Sequence, residues 1–215
     1  MSTEIQQQLT TAGLIPVLRC AGKDAFALVE AMVAGGVTVI EVTMTVPGVM
    51  DVLRDLKRSY GSRLLLGSGT ITNAAQCAET IEAGAEFVVS PSLHLDVIAK
   101  TKELGKVSIP GGLTPTEVIT AWNAGADFVK VFPCSAVGGA NYLKALKAPF
   151  PQLRLIPTGG VTVETVASFF KAGAEALGVG SDLVNSAAIA AGKPELVTNT
   201  ARAYLQAIAQ ARAQA

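Results

Sequence analysis

The strongest constraint on this chain is a fourfold internal repeat, in which a small-residue and glycine step is followed by a short apolar run. The steps are Ala34-Gly35-Gly36-Val37, Ala83-Gly84-Ala85-Glu86, Ala124-Gly125-Ala126-Asp127 and Ala172-Gly173-Ala174-Glu175. Each closes a stretch of helical pattern, where glycine enters the left-handed backbone region without steric cost. The runs that follow, over residues 37–43, 87–90, 128–132 and 176–180, read as strands. A repeat of this length signals one supersecondary unit used several times.

Between successive repeats there is room for one more strand, helix and loops. Residues 14–19, 64–67, 107–110 and 154–157 supply those strands. They are short, continuous and apolar, which suits parallel strands covered on both faces. Helices are predicted over 23–34, 46–59, 73–83 and 162–172, and an alanine-rich closing helix over 194–215. Thr72, Thr114 before Pro115, and Thr162 with Glu164 two residues on read as helix starts. Eight strands alternating with helices predict an α/β fold, a (β/α)8 TIM barrel of one domain spanning residues 1–215. An open doubly wound sheet is the alternative. It would carry a dinucleotide fingerprint after the first strand, and Arg19-Cys20-Ala21-Gly22 is not one.

Half of the residues are hydrophobic and 16% are charged, enough to bury a sizeable core and unlike a disordered chain. The 17 basic residues balance the 17 acidic ones. That balance supplies no field for nucleic acid or an anionic membrane, but a local site can still hold a small anion. Cys20, Cys77 and Cys134 lie too far apart for a zinc motif or a disulfide framework, which predicts a reducing, cytoplasmic setting. Residues 1–8 lack the basic start of a secretory signal, and no apolar run is long enough to span a bilayer.

In a barrel of this kind the active site lies at the carboxyl ends of the strands. Four polar residues interrupt or end apolar strands there: Arg19, Glu41, Thr70 and Lys130. Lys130 sits within Phe128-Val129-Lys130-Val131-Phe132. Burial disfavours its ammonium form, and the neutral amine is a nucleophile toward carbonyls. The same lysine also fits a snorkelling strand end or an ion pair with Glu41. Glu41 suits a proton relay in imine-dependent bond cleavage, and pairing with Lys130 or Arg19 is compatible with that role.

Two glycine-rich turns, Pro157-Thr158-Gly159-Gly160-Val161 and Gly178-Val179-Gly180-Ser181, follow the seventh and eighth strands. Loops at this place, with a helix start nearby, recurrently bind phosphate. Glycine lets backbone amides approach an oxyanion, although a tight βα turn needs glycine too. His94 stands alone, so no metal site is predicted. Cys134 reads as a small pocket-lining residue and Trp122 as helix packing.

These motifs, together with Ile40-Glu41-Val42-Thr43, Gly67-Ser68-Gly69-Thr70, Ser90-Pro91 and Ile109-Pro110-Gly111, resemble the 2-keto-3-deoxy-6-phosphogluconate / 4-hydroxy-2-oxoglutarate aldolase family. The match runs in order from about residue 14 to 183. The resemblance implies a class I aldolase that reversibly releases pyruvate and glyceraldehyde 3-phosphate, without a cofactor, as a homotrimer. It implies Lys130 as the Schiff-base lysine and Glu41 as the proton relay. Thr70 would hold the pyruvyl carboxylate, Pro91 would line the pocket, and Gly159, Gly160 and Ser181 would bind phosphate. Some members carry arginine where this chain has Thr45; others use one at the end of the first strand, which Arg19 matches. Thr158 resembles the gluconate-type pattern, whereas galactonate-specific relatives tend to have valine. The galactonate epimer and unphosphorylated 4-hydroxy-2-oxoglutarate are alternative substrates. A sugar-phosphate isomerase or a non-catalytic phosphate-binding barrel would share the glycine turns but need no imine.

Overall fold

The apolar runs form parallel strands: β1 (Leu14–Leu18), β2 (Val39–Thr43), β3 (Leu65–Gly69), β4 (Phe87–Val89), β5 (Val107–Ile109), β6 (Gly111–Gly112), β7 (Val129–Val131), β8 (Leu155–Pro157) and β9 (Leu177–Val179). The computed structural model describes residues 2–214. The two end positions of the predicted 1–215 domain therefore lie outside the described residues, as do the first residue of the polar 1–8 segment and the last of the expected closing helix.

The hydrogen-bonded order is β5-β4-β3-β2-β1-β9 in one ladder and β6-β7-β8 in a second. Every ladder pairing is parallel. One residue, Pro110, separates β5 from β6, so the single strand expected over 107–110 is longer and broken. Proline has no N–H to give the ladder, but its carbonyl accepts from the Lys130 amide at 2.9 Å. On the other side, isolated bridges Leu155–Ala174 and Thr158–Gly178 tie β8 to the β9 segment. The result is a curled parallel sheet within an α/β domain.

Helices alternate with the strands: α1 (Ser2–Ala12), α2 (Ala25–Ala34), α3 (Val49–Tyr60), α4 (Ala74–Glu82), α5 (Leu95–Glu103), α6 (Pro115–Asn123), α7 (Ala140–Lys147), α8 (Val166–Lys171), α9 (Ser186–Ala190) and α10 (Pro194–Ala213). The four repeat glycines do what the sequence predicted: Gly36, Gly84, Gly125 and Gly173 have φ of 101°, 118°, 94° and 91°. Thr114 and Glu117 form a reciprocal capping box with Pro115 in the first turn of α6. Two expected starts move. Asn73, not Thr72, caps α4 by accepting from the Gln76 amide at 2.9 Å. The helix expected from Thr162 begins at Val166, because Thr165 Oγ1 takes the Thr162 N–H at 2.8 Å in a preceding turn. Among the described residues, no helix is long and apolar enough to cross a membrane.

The core has three parts, the smallest of them Ile71, Cys77, Val88 and Val97. The largest lies between sheet and helices. The second fills the inner face of the sheet with Ile15, Val39, Leu65, Phe87, Phe128 and Ile156, closed at the amino-terminal end by Leu9 of α1. Successive side chains on a strand alternate faces. Residues two positions beyond this apolar layer therefore return to the same inner face, nearer the carboxyl ends. From Val39 that residue is Glu41; from Phe128 it is Lys130; from Ile156 it is Thr158.

Candidate active site

A cavity of about 630 Å³ opens at the carboxyl ends of the strands. Arg19 enters it just past β1, Thr70 past β3, Pro91 past β4, Lys130 from β7 and Thr158 just past β8. Gly159, Gly160 and Ser181 form its opposite wall. All the predicted site residues are thus brought together except that Glu41 sits behind the cavity wall, 3% exposed, beside Lys130.

Lys130 is 7% exposed, and its Nζ lies 3.7 Å from Glu41 Oε1. That separation allows a direct electrostatic interaction but exceeds ordinary hydrogen-bond length. Glu41 Oε1 has no hydrogen-bond partner among the described residues. A buried carboxylate oxygen without a partner is costly in a merely structural ion pair, and it is the kind of exception that points to chemistry. The ring of Phe132 lies 5.4 Å from the ammonium position, a cation–π distance. The amine therefore has a carboxylate and an aromatic face beside it and an open cavity ahead.

Arg19 is exposed to the cavity and has no carboxylate partner within ion-pair distance among the described residues. Its planar guanidinium is available for bidentate binding of a small carboxylate. Thr70 has φ of 61°, unusual for a β-branched residue. Such backbone strain concentrates where geometry serves a ligand.

The wall formed by Gly159, Gly160 and Ser181 depends on backbone conformation. Gly159 and Gly160 have φ of 92° and 73°, which side chains adopt only with strain. A Cβ on Gly160 would also come within 2.4 Å of the Ser135 Cβ. With α8 beginning only at Val166, the turn over 159–161 and not a helix start borders the cavity here.

The sequence reading missed the part played by Gly69 and Gly178. Both lack side chains where a neighbour needs the room: Glu41 fills the space beside Gly69, and Thr158 fills that beside Gly178. Their role depends on the strand register, which sets Glu41 opposite Gly67 and Thr43 opposite Gly69 and which the sequence does not display. Other expectations shift. Cys134 is buried behind the cavity instead of lining it, and burial pushes its thiol up to about 11. His94 stands at the start of α5 without capping it and pairs with Ser92 Oγ at 2.9 Å. Trp122 meets its expectation of helix packing, partly buried on α6 against the core.

A second cavity, about 610 Å³, lies at the amino-terminal side near Gln7, Arg63 and Arg212. None of the predicted site residues lines it.

The family model described as "KDPG and KHG aldolase" matches residues 5–200. The chain is 33% identical over 204 residues to the 2-dehydro-3-deoxy-6-phosphogalactonate aldolase of Escherichia coli K12, covering 94% of this chain and 99% of that one. It is 34% identical over 201 residues to the 2-dehydro-3-deoxy-phosphogluconate aldolase of Zymomonas mobilis, covering 93% of each. A solved structure of Legionella pneumophila KDPG aldolase, with pyruvate captured as a covalent carbinolamine, has a TM-score of 0.82 at 29% identity. That comparison covers 93% of this chain and 97% of the other.

Proposed function

The chain belongs to the KDPG and KHG aldolase family, and we propose that it cleaves 2-keto-3-deoxy-6-phosphogluconate through an imine on Lys130. The observation that carries this reading is the placement of a buried amine beside an unpartnered carboxylate, facing a cavity whose far wall is glycine turns.

In this mechanism the Nζ of Lys130 attacks the C2 ketone, and loss of water leaves a protonated imine. Glu41 takes the C4 hydroxyl proton as the C3–C4 bond breaks. The bonding pair moves into the imine to give an enamine, and glyceraldehyde 3-phosphate departs. Glu41 returns the proton to C3, and water releases pyruvate from Lys130. Arg19 and Thr70 hold the pyruvyl carboxylate, Pro91 shapes the pocket, and Gly159, Gly160 and Ser181 bind the phosphate. Thr158 faces the sugar hydroxyls and supports the gluconate epimer over the galactonate one.

The same reading takes the domain as one closed (β/α)8 barrel across residues 1–215. The Pro110 carbonyl bond and the Thr158–Gly178 bridge support closure at the two gaps between ladders. Homotrimeric assembly rests on the family resemblance. Three free thiols favour a reducing, cytoplasmic compartment.

The test is pyruvate release from both 6-phosphorylated epimers and from 4-hydroxy-2-oxoglutarate, with wild type and Lys130→Ala. The proposal predicts the highest kcat/KM on the gluconate compound and no turnover by the variant. Equal turnover by Lys130→Ala removes the imine mechanism, and a higher value on the galactonate compound reverses the epimer assignment.

A further inference from the structure

The two turns assigned above to phosphate come from different strands, and their amides can meet one anion only if the turns keep a fixed separation. Behind them stands Tyr204 on α10, whose side chain is fully buried. Its single O–H is shared between two acceptors, the Asp182 carboxylate and the Val161 carbonyl at 3.1 Å. Val161 follows Gly160 and Asp182 follows Ser181, so one oxygen touches the residue next to the anion wall on each turn. Among the described residues, no other side chain hydrogen-bonds both turns.

We infer that Tyr204 is a positioning residue for phosphate recognition, clipping the 159–161 and 180–182 turns together and holding the Asp182 carboxylate away from the bound anion. This rests on the phosphate reading of the glycine turns.

The second part follows from charge. Asp182 borders the cavity beside Ser181, and a carboxylate released there would repel a phosphate dianion at short range. Anchoring it on a buried hydroxyl opposes that movement. Burial is the largest influence on Tyr204, and the Asp182 bond and charge add to it; together they push the phenol far above its ordinary range. The hydroxyl therefore keeps its proton and remains a donor at working pH. Pro157, Thr158 and Gly178 hold the strand ends, but the bridge between Thr158 and Gly178 lies before the amides that would face the anion. The tyrosine acts beyond that bridge.

Tyr204→Phe keeps the buried ring and removes only the clip. The measurement is steady-state cleavage of the phosphorylated substrate and of 4-hydroxy-2-oxoglutarate, with inorganic phosphate as competitive inhibitor. The expected result is a fivefold to tenfold rise in KM for the phosphorylated substrate and in the inhibition constant of phosphate. The kcat for that substrate and kcat/KM for the unphosphorylated one should stay within about twofold. Asp182→Asn, which keeps an oxygen acceptor for Tyr204 without the charge, should not raise the phosphorylated-substrate KM.

A proportional loss on both substrates in Tyr204→Phe would mean general loosening and would overturn the inference, as would an unchanged KM. A KM rise in Asp182→Asn equal to that in Tyr204→Phe would overturn the repulsion argument. The two readings fail differently. If phosphate does not inhibit wild type and the phosphorylated substrate has no KM advantage, the phosphate assignment itself falls and the tyrosine role falls with it. If wild type shows both effects and Tyr204→Phe changes neither, only the tyrosine role is lost.

Discussion

Gly69 provides the space in which the Glu41 carboxylate lies: a Cβ built on Gly69 would stand 1.9 Å from Glu41 Oε1. A glycine on β3 thus sets the position of an acid on the neighbouring strand. Its backbone φ is not in the left-handed region, so the requirement is room and not conformation. Gly69→Ala should displace the carboxylate from Lys130. Misplacing a catalytic group by about 1 Å costs on the order of 100-fold in rate, and kcat for cleavage should fall by about that factor. Overpacking should also lower stability by about 1–3 kcal/mol, measurable by urea unfolding. Normal kcat in a folded Gly69→Ala variant would separate Glu41 from the chemistry.

Glu41→Gln preserves the volume and removes the proposed base. Imine formation with pyruvate should persist, because the attacking amine belongs to Lys130. Cleavage should slow by about 10²–10⁴-fold, the usual contribution of a positioned acid or base. Borohydride trapping and single-turnover cleavage on the same preparation separate these steps. Equal losses in both would assign Glu41 to lysine positioning instead of proton transfer.

Thr158 lines the cavity, and its hydroxyl lies in the room that Gly178 leaves. Thr158→Val replaces the hydroxyl by a methyl of similar size. The ratio of kcat/KM for the gluconate and galactonate epimers should shift by about tenfold toward galactonate, within the range that one polar contact supplies. Measured side by side, an unaltered ratio would remove Thr158 from epimer selection.

How far this site could be read from sequence depends on the kind of residue. Lys130 and Glu41 stood out because charge inside apolar strands is expensive and visible in one dimension. The repeat glycines were legible because a helix end demands their conformation. Gly69 was not, since its role is defined by a side chain on another strand. The paired turns were recognisable as glycine-rich, but Tyr204, distant in sequence and ordinary in a helix, gave no sign of meeting them. Thr162 looked like a cap, and the local turn to Thr165 outcompeted the helix start. The break at Pro110 was not anticipated, although proline chemistry explains it, and its carbonyl partner was a matter of tertiary placement. Helix α1 escaped notice because its apolar residues are few: Leu9 is buried, with Ile5 and Ala12 packed beside it.

The capping box provides a pH test remote from the site. The Thr114 backbone amide, then that of Leu113, and the Thr114 hydroxyl all bond Glu117 and hold its carboxyl below the usual range. A folded-state value below the unfolded one means that the stabilisation is complete above the ordinary carboxylate range. It is lost as pH falls from about 4.5 through the lower folded value. Glu117→Gln keeps an oxygen for the capping box and loses only an exposed charge, so it should cost about 0.3 kcal/mol at pH 7 and reduce the steepness of acid destabilisation below about pH 4.5. Urea unfolding at several pH values measures both. A variant with the same acid slope as wild type would exclude Glu117 from it.

The central claim is that Lys130 carries the substrate carbon covalently. Incubation with pyruvate and borohydride, followed by peptide mass mapping, tests it most directly. The account predicts one reduced pyruvyl group per chain, on the peptide containing Lys130, and none in Lys130→Ala. An adduct on a different lysine, or cleavage-competent protein with no adduct, would contradict it.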